Sequence, residues 1–249
     1  MTAAPAEALA AAFVRSRDMD AALGERLEAY SNAVREFIPA YAEAVDQLVS
    51  RLSSSGAGLE APRPGEPMPP FVLPDERGRL TSLESLLQNG PIAITFHRGH
   101  WCPWCRISAS AMAQARRDIA AARGQIAAIM PERQRFAMEF KSNTKSPFPV
   151  FTDVDNGYAL SLNLAIWVGP DLERMLSSFG RSLPDYQGNE AWMLPIPATF
   201  VIARDGIVTA RFIDPDFRRR MSVEELIAAL EAASKRGRGL REDEGAGVG

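Results

Sequence analysis

Pro91-Ile92-Ala93-Ile94-Thr95-Phe96-His97-Arg98-Gly99-His100-Trp101-Cys102-Pro103-Trp104-Cys105 is the stretch whose reading decides the fold. Its first six residues are a compact apolar run of the kind a strand buried on both faces requires. A short polar loop follows, and Pro103 then suits the first turn of a helix because it has no N–H to lose there. Cys102 therefore sits where a helix begins, and Cys105 lies one turn further on, on the same face and within disulfide reach.

That placement has a chemical use. Unpaired backbone N–H groups and the positive end of the helix dipole favour negative charge at a helix start. A free thiol with a pKa near ~8.5 can be brought to roughly 3.5–7.5 in such a position. The spacing assigns Cys102 as the exposed nucleophile and Cys105 as the more buried resolving thiol. Arg98 is the cation expected near the thiolate, with His100 a weaker choice. Trp101 and Trp104 would shape a docking surface beside the sulfur. The chain has only two cysteines. A disulfide-stapled secreted domain would use more of them, spread to close long loops, and a ring this small adds little stability. A rival use is zinc, since His97, His100, Cys102 and Cys105 are four potential ligands. Zinc sites of that composition draw their ligands from two separated pieces of chain, which these four are not. No metal and no cofactor is expected, and His97 reads as a strand-end residue pointing at a neighbouring surface.

Outward from this stretch the pattern alternates strand and helix. Gln125 to Met130 reads as another buried strand, and Pro131 is placed to open a helix carrying Phe136 and Phe140. Phe71 to Leu73 and Phe148 to Phe151 suit short strands. Thr81-Ser82-Leu83-Glu84 and Ser222-Val223-Glu224-Glu225 are capping boxes, each opening a helix, the second running to about Ser234. Cys102 to about Arg123 reads as one helix stopped by Gly124. Helices are expected near Asn156 to Leu164 and Asp171 to Phe179. Ala198 to Ile202 and Ile207 to Ile213 flank Arg204-Asp205-Gly206, a hairpin signal. A βαβ unit, then a hairpin and a closing helix, is the thioredoxin order, so the expected fold is α/β with a mixed central sheet flanked by helices.

Before this domain, Leu23, Leu27, Tyr30, Val34, Phe37, Tyr41, Val45, Leu48 and Leu52 recur at steps of three and four, the stripe of an amphipathic helix. Pro39 inside the stripe predicts a kink or two consecutive helices. The divisions expected are a helical extension over 1–56, a Pro-rich linker over 57–66, the thioredoxin-like domain over 67–234 and a disordered Gly-rich tail over 235–249. The helical stripe packs on its own domain or, as the alternative, forms a homodimer contact.

Composition narrows the partners. A formal net charge of −3 gives no support to nucleic-acid binding. No apolar run approaches the ~20 residues that cross a bilayer, and the Ala-rich N-terminus lacks the basic region of a secretory signal, so a cytoplasmic location without a membrane partner is expected.

The residues from Pro64 to about Leu230 resemble the peroxiredoxin-like branch of the alkyl hydroperoxide reductase/thiol-specific antioxidant family. The matching pieces are Pro69-Pro70-Phe71-Val72-Leu73-Pro74-Asp75 with Gly78, the strand-to-cysteine stretch, Phe148-Pro149-Val150-Phe151-Thr152-Asp153, and Pro197-Ala198-Thr199-Phe200-Val201-Ile202 leading into Asp205-Gly206. The resemblance implies a thioredoxin fold and thiol-dependent reduction of hydroperoxides, with Cys102 attacking and Cys105 resolving. It also implies an external dithiol donor such as thioredoxin or glutathione. The family reads Pro-x-x-x-Thr-x-x-Cys before its attacking cysteine, and counted back from Cys102 those places hold Thr95 and Gly99. The family's late-strand arginine is replaced by Pro197, which in thioredoxins faces the cysteine pair in the cis form. A thioredoxin- or glutaredoxin-like disulfide exchange is therefore the alternative enzyme, and a zinc-binding or interaction module the alternative outside enzymes.

Overall fold

The computed structural model describes residues 3–246, and the side chains of residues 5–236. Three helices come first: α1 (Ala3–Asp18), α2 (Leu23–Phe37) and α3 (Pro39–Ser54). The apolar stripe is thus two helices joined at Ile38, whose φ of −140° breaks the path just before Pro39 takes the first helical position. Its residues are buried from Leu23 to Leu52, apart from the partly covered Phe37. The helix α1, which the periodicity did not single out, packs beside them through Leu9, Ala12 and Phe13.

The remaining elements are β1 (Val72–Pro74), β2 (Leu80–Ser82), α4 (Leu83–Leu87), β3 (Ile92–Phe96), α5 (Pro103–Gln114), α6 (Arg116–Ala121), β4 (Gln125–Met130), α7 (Gln134–Thr144), β5 (Val150–Thr152), α8 (Gly157–Ser161), β6 (Ala165–Trp167), α9 (Pro170–Ser178), α10 (Leu183–Gln187), β7 (Met193–Pro195), β8 (Ala198–Ile202), β9 (Val208–Ile213) and α11 (Val223–Ala246). The central sheet has the order β5-β4-β3-β8-β9. β3 runs parallel to β4 and β4 to β5, while β8 and β9 are antiparallel additions, which is the mixed thioredoxin-type arrangement.

Alternate residues along the strands feed two cores, as the period of two demands. Ile92, Ile94, Phe96, Ile129 and Phe200 face one, with Phe71 and Tyr158. Ala93, Ala128, Met130 and Val201 face the other, with α5, α11 and the three N-terminal helices. The loop leaving β3 therefore delivers Cys102 and Cys105 into the second core, beneath α2 and α3.

Several boundaries shift from their sequence readings. The cap of α4 is Ser82, whose Oγ accepts the Ser85 N–H at 3.1 Å, one residue after Thr81. The second capping box forms as read: Ser222 Oγ accepts from Glu225 N at 3.1 Å, and Glu225 Oε2 accepts from Ser222 N at 2.9 Å. Its helix continues to Ala246 through residues read as a tail, and 247–249 lie outside the described residues. The helix after the cysteines breaks at Ala115, and Arg123 rather than Gly124 takes the left-handed turn, with φ 56°. Gly124 instead permits close packing, since a Cβ there would lie 2.7 Å from Leu230 Cδ1. Pro131 precedes α7 without opening it, because Arg133 caps that helix.

Candidate active site

Backbone geometry brings the sulfurs together. Cys102 is the N-cap of α5 in extended conformation (φ −83°, ψ 112°), and Pro103 and Trp104 follow as its first turn. Both cysteines are free thiols and both are 0% exposed. This corrects the expectation of an exposed Cys102. The N-terminal helices cover it: Trp104 Nε1 donates to Ser31 Oγ at 2.9 Å, and the Tyr30 ring meets the Trp104 ring edge-on at 5.0 Å. Trp101 and Trp104 are likewise buried under the chain's own extension rather than presented as a docking surface.

The two sulfurs sit in different electrostatic surroundings. Cys105 Sγ accepts the Arg98 backbone N–H at 3.3 Å and the Arg220 Nη2–H at 3.6 Å. Burial alone would raise its pKa, but hydrogen bonds from the Cys102 thiol and His97, with the Arg220 charge, hold it well below the ordinary thiol range. Burial pushes the Cys102 thiol well above that range, and its hydrogen bond to Cys105 stabilises its protonated form. These surroundings favour the resting negative charge on Cys105, whereas helix position alone favours Cys102. The donors decide it, because a sulfur with two N–H partners and an adjacent guanidinium is a better anion than one that only donates.

The register of the family pattern changes with that assignment. Counted back from Cys105, the Thr place of Pro-x-x-x-Thr-x-x-Cys is Cys102 and the Pro place is Arg98. Gly99 then needs no hydroxyl. Its φ of +147° favours glycine, and a Cβ would lie 2.6 Å from both Glu132 Oε1 and Trp101 Nε1.

Arg98 is 2% exposed, and its guanidinium lies 3.7 Å from the Phe217 ring centroid and 5.1 Å from that of Trp101. Neither Nη has a hydrogen-bond partner. A buried unpaired cation is costly, and the Phe217 and Trp101 faces offset part of that cost; its charge acts on Cys102, opposing the rise that burial causes there.

Sequence reasoning missed the roles of four residues that the fold brings to this region. His97 is buried beside Cys105 rather than directed at a neighbouring surface. Thr95 Oγ1 lies 3.1 Å from His97 Nε2 and donates to Ala127 O at 3.2 Å. With its one hydroxyl proton so used, it accepts from Nε2–H. Arg220 arrives from the loop before α11, too distant in sequence to be read. Glu132, fully buried, accepts from His100 N at 2.7 Å and pairs with His100 Nδ1 at 2.8 Å. Burial raises the Glu132 pKa against the pull of His100. His100 is thereby held away from the sulfurs, stacked on Phe136 with ring centroids 4.5 Å apart. Among the described residues, no three His, Cys, Asp or Glu side chains are placed to share a metal ion.

Pro197 is buried immediately before β8, and among the described residues no peptide bond is cis, which corrects the expected cis form. The preceding Ile196 N–H donates to Leu164 O at 2.8 Å, so the chain enters β8 directly from β7, the antiparallel partner of β6. The structure thus brings Cys102, Cys105, Arg98, Trp101 and Pro103 together and places Pro197 at a strand opening.

Two solved structures show the same fold. A peroxidoxin, BcpB, from Mycobacterium tuberculosis is similar over 69% of this chain and 97% of its own, with a TM-score of 0.54 and 20% identity. Peroxiredoxin 6 of Arenicola marina, as a cysteine-to-serine mutant, is similar over 68% of this chain and 72% of its own, with a TM-score of 0.53 and 16% identity. No curated protein matches the chain significantly. The family model described as the AhpC/TSA family matches residues 64–211, from the Pro-rich lead-in through most of β9. With more than half of its length under that match, this chain belongs to the AhpC/TSA family and is a thiol-dependent redox enzyme.

Proposed function

We propose that the protein reduces hydroperoxides with the Cys102–Cys105 dithiol, and that Cys105 makes the attack. The observation that carries this is the Cys105 sulfur held by the Arg98 N–H at 3.3 Å and Arg220 at 3.6 Å, one helical turn from a protonated partner. The Cys105 thiolate attacks one peroxide oxygen and the O–O bond breaks. The departing alkoxide or hydroxide takes a proton from water, and sulfur keeps the other oxygen as a sulfenic acid. Cys102 then loses its proton and attacks the Cys105 sulfur, the sulfenic oxygen leaves as water, and a disulfide forms. Two electrons pass from the dithiol to the peroxide. An external dithiol or glutathione restores the pair by exchange.

Burial favours a small peroxide over a protein disulfide, because a folded partner cannot present its own sulfur to one that is 0% exposed. The Cys-Pro-Trp-Cys spacing at a helix start supports disulfide exchange as the second reading. A cytoplasmic site of action belongs to the same proposal; among the described residues no helix is long and apolar enough to cross a membrane.

Stopped-flow mixing of the reduced protein with hydrogen peroxide and with an alkyl hydroperoxide tests the first reading against oxidised glutathione as the rival substrate. Oxidation by peroxide at least ~100-fold faster than a free thiol at the same pH is expected. Peroxide rates no better than a free low-pKa thiol, with faster reaction toward the disulfide, would transfer the proposal to exchange chemistry.

A further inference from the structure

A cavity of about 470 Å³ lies between the N-terminal helices and the turn that carries Cys102. That volume is within the ~300–1,000 Å³ typical of small-molecule sites. Its walls are apolar: Leu9 and Phe13 from α1, Val34 from α2, and Leu176 with Phe179 at the end of α9. Trp101, Pro103 and Trp104, the neighbours of Cys102, also line it.

The polar part of the lining is cationic. Arg17, Arg106 and Arg181 border the cavity, and no aspartate or glutamate does. Arg17 is answered by Asp18, at 2.6 Å. Among the described residues, the Arg106 and Arg181 side chains have no hydrogen bond and no ion pair. Arg106 Nε is buried without a partner, and its guanidinium is pinned 4.5 Å from the Phe13 ring centroid. Burial and the neighbouring Arg17 and Arg181 charges lower the Arg106 pKa, outweighing the opposing pull of Glu139.

A solvated arginine rim would carry no such meaning. Here a donor is sealed from water in the lining of a largely apolar space, in a chain whose net charge is −3. The site is also this chain's own, because α1, α2 and α3 precede the family match at 64–211.

We propose that this cavity binds a single-chain amphipathic anion, with the apolar chain against Leu9, Phe13 and Val34 and the anionic head on Arg106 and Arg181. A guanidinium pair suits a carboxylate head, which it can grip with paired N–H donors. The bound chain would end against Trp101 and Trp104, the residues that cover the sulfurs. The inference does not depend on any reaction at the cysteines.

Isothermal titration of full-length protein with decanoate, below its micelle concentration, tests it. The measurement is repeated in the Cys102→Ser/Cys105→Ser background, so that failure of the redox proposal leaves the binding result standing. Saturable one-to-one binding is expected, with 1-decanol at least ~10-fold weaker. Arg106→Met and, separately, the exposed Arg181→Met should each weaken decanoate by about tenfold while leaving decanol unchanged. Leu9→Trp, which fills the cavity, should abolish both. No saturable decanoate binding, equal affinity for decanoate and decanol, or unaltered decanoate affinity in both folded arginine variants would overturn the proposal.

Discussion

Replacing Arg220 isolates what the Cys105 thiolate owes to one charge. In a Cys102→Ser background a single thiol titrates, and the serine hydroxyl retains a donor toward Cys105. Arg220 Nη2 lies 3.6 Å from Cys105 Sγ. A unit charge at that distance is worth about 4–5 kcal/mol at an effective dielectric of ~20 and about 1 kcal/mol at that of water. The Arg220 side chain is partly exposed, so the true value falls between these limits. Arg220→Met should therefore raise the thiol pKa by roughly one to three units, each unit being ~1.4 kcal/mol. Thiolate absorbance near 240 nm against pH reads the change without requiring a reagent to reach a buried sulfur. Arg220→Lys should recover part of it, keeping the charge but not the forked donor. An unmoved midpoint in a correctly folded Arg220→Met protein would refute the electrostatic argument.

Three further outcomes follow from the same geometry. The low pKa of Cys105 and the high pKa of Cys102 bracket the unfolded value near ~8.5, so between the Cys105 pKa and ~8.5 the unfolded chain binds one more proton than the folded one. The stability contributed by Cys105 is full above ~8.5 and is lost as pH falls through its folded pKa, while that of Cys102 is lost as pH rises through its own. Denaturation of the reduced protein, measured against the double serine variant, should show this contribution peaking near pH ~8.5. Gly99→Ala should cost about 2–3 kcal/mol, because the new Cβ would meet Glu132 Oε1 and Trp101 Nε1 at 2.6 Å in a backbone shape that favours glycine; urea unfolding measures it, and a loss under ~0.5 kcal/mol would show that the loop yields. Tyr30→Ala removes an aromatic ring clamped between Phe13 and Trp104, and should speed the reaction of the thiols with an aromatic disulfide reagent by about 10–100-fold through easier opening of the cover.

Much of the fold is legible because its signals are local. The buried run from Ile92 to Phe96, the proline inside the first turn of α5 and the reciprocal cap of Ser222 and Glu225 are each settled within a few residues. The spacing of Cys102 and Cys105 likewise announced a redox pair. What sequence could not rank was the two sulfurs, since the ranking depends on Arg220, more than a hundred residues away, and on the direction of the Arg98 N–H. Helix position alone favours Cys102, and it is outweighed by donors that only the closed tertiary structure supplies. The cover was half legible: the stripe from Leu23 to Leu52 showed that a face must be buried, but not that Tyr30 and Ser31 would meet Trp104. The pairing of β6 with β7 escaped because each strand is three residues long, one of them ends in proline, and α9 and α10 lie between them.

The account rests on which sulfur carries the charge in the reduced protein. The most direct test is the pH dependence of 240 nm absorbance in Cys102→Ser and Cys105→Ser measured side by side. Cys102→Ser should retain a thiolate that titrates well below ~8.5, and Cys105→Ser should show none until well above it. The opposite order, with the low-pKa thiolate surviving in Cys105→Ser, would contradict the assignment of the attack to Cys105.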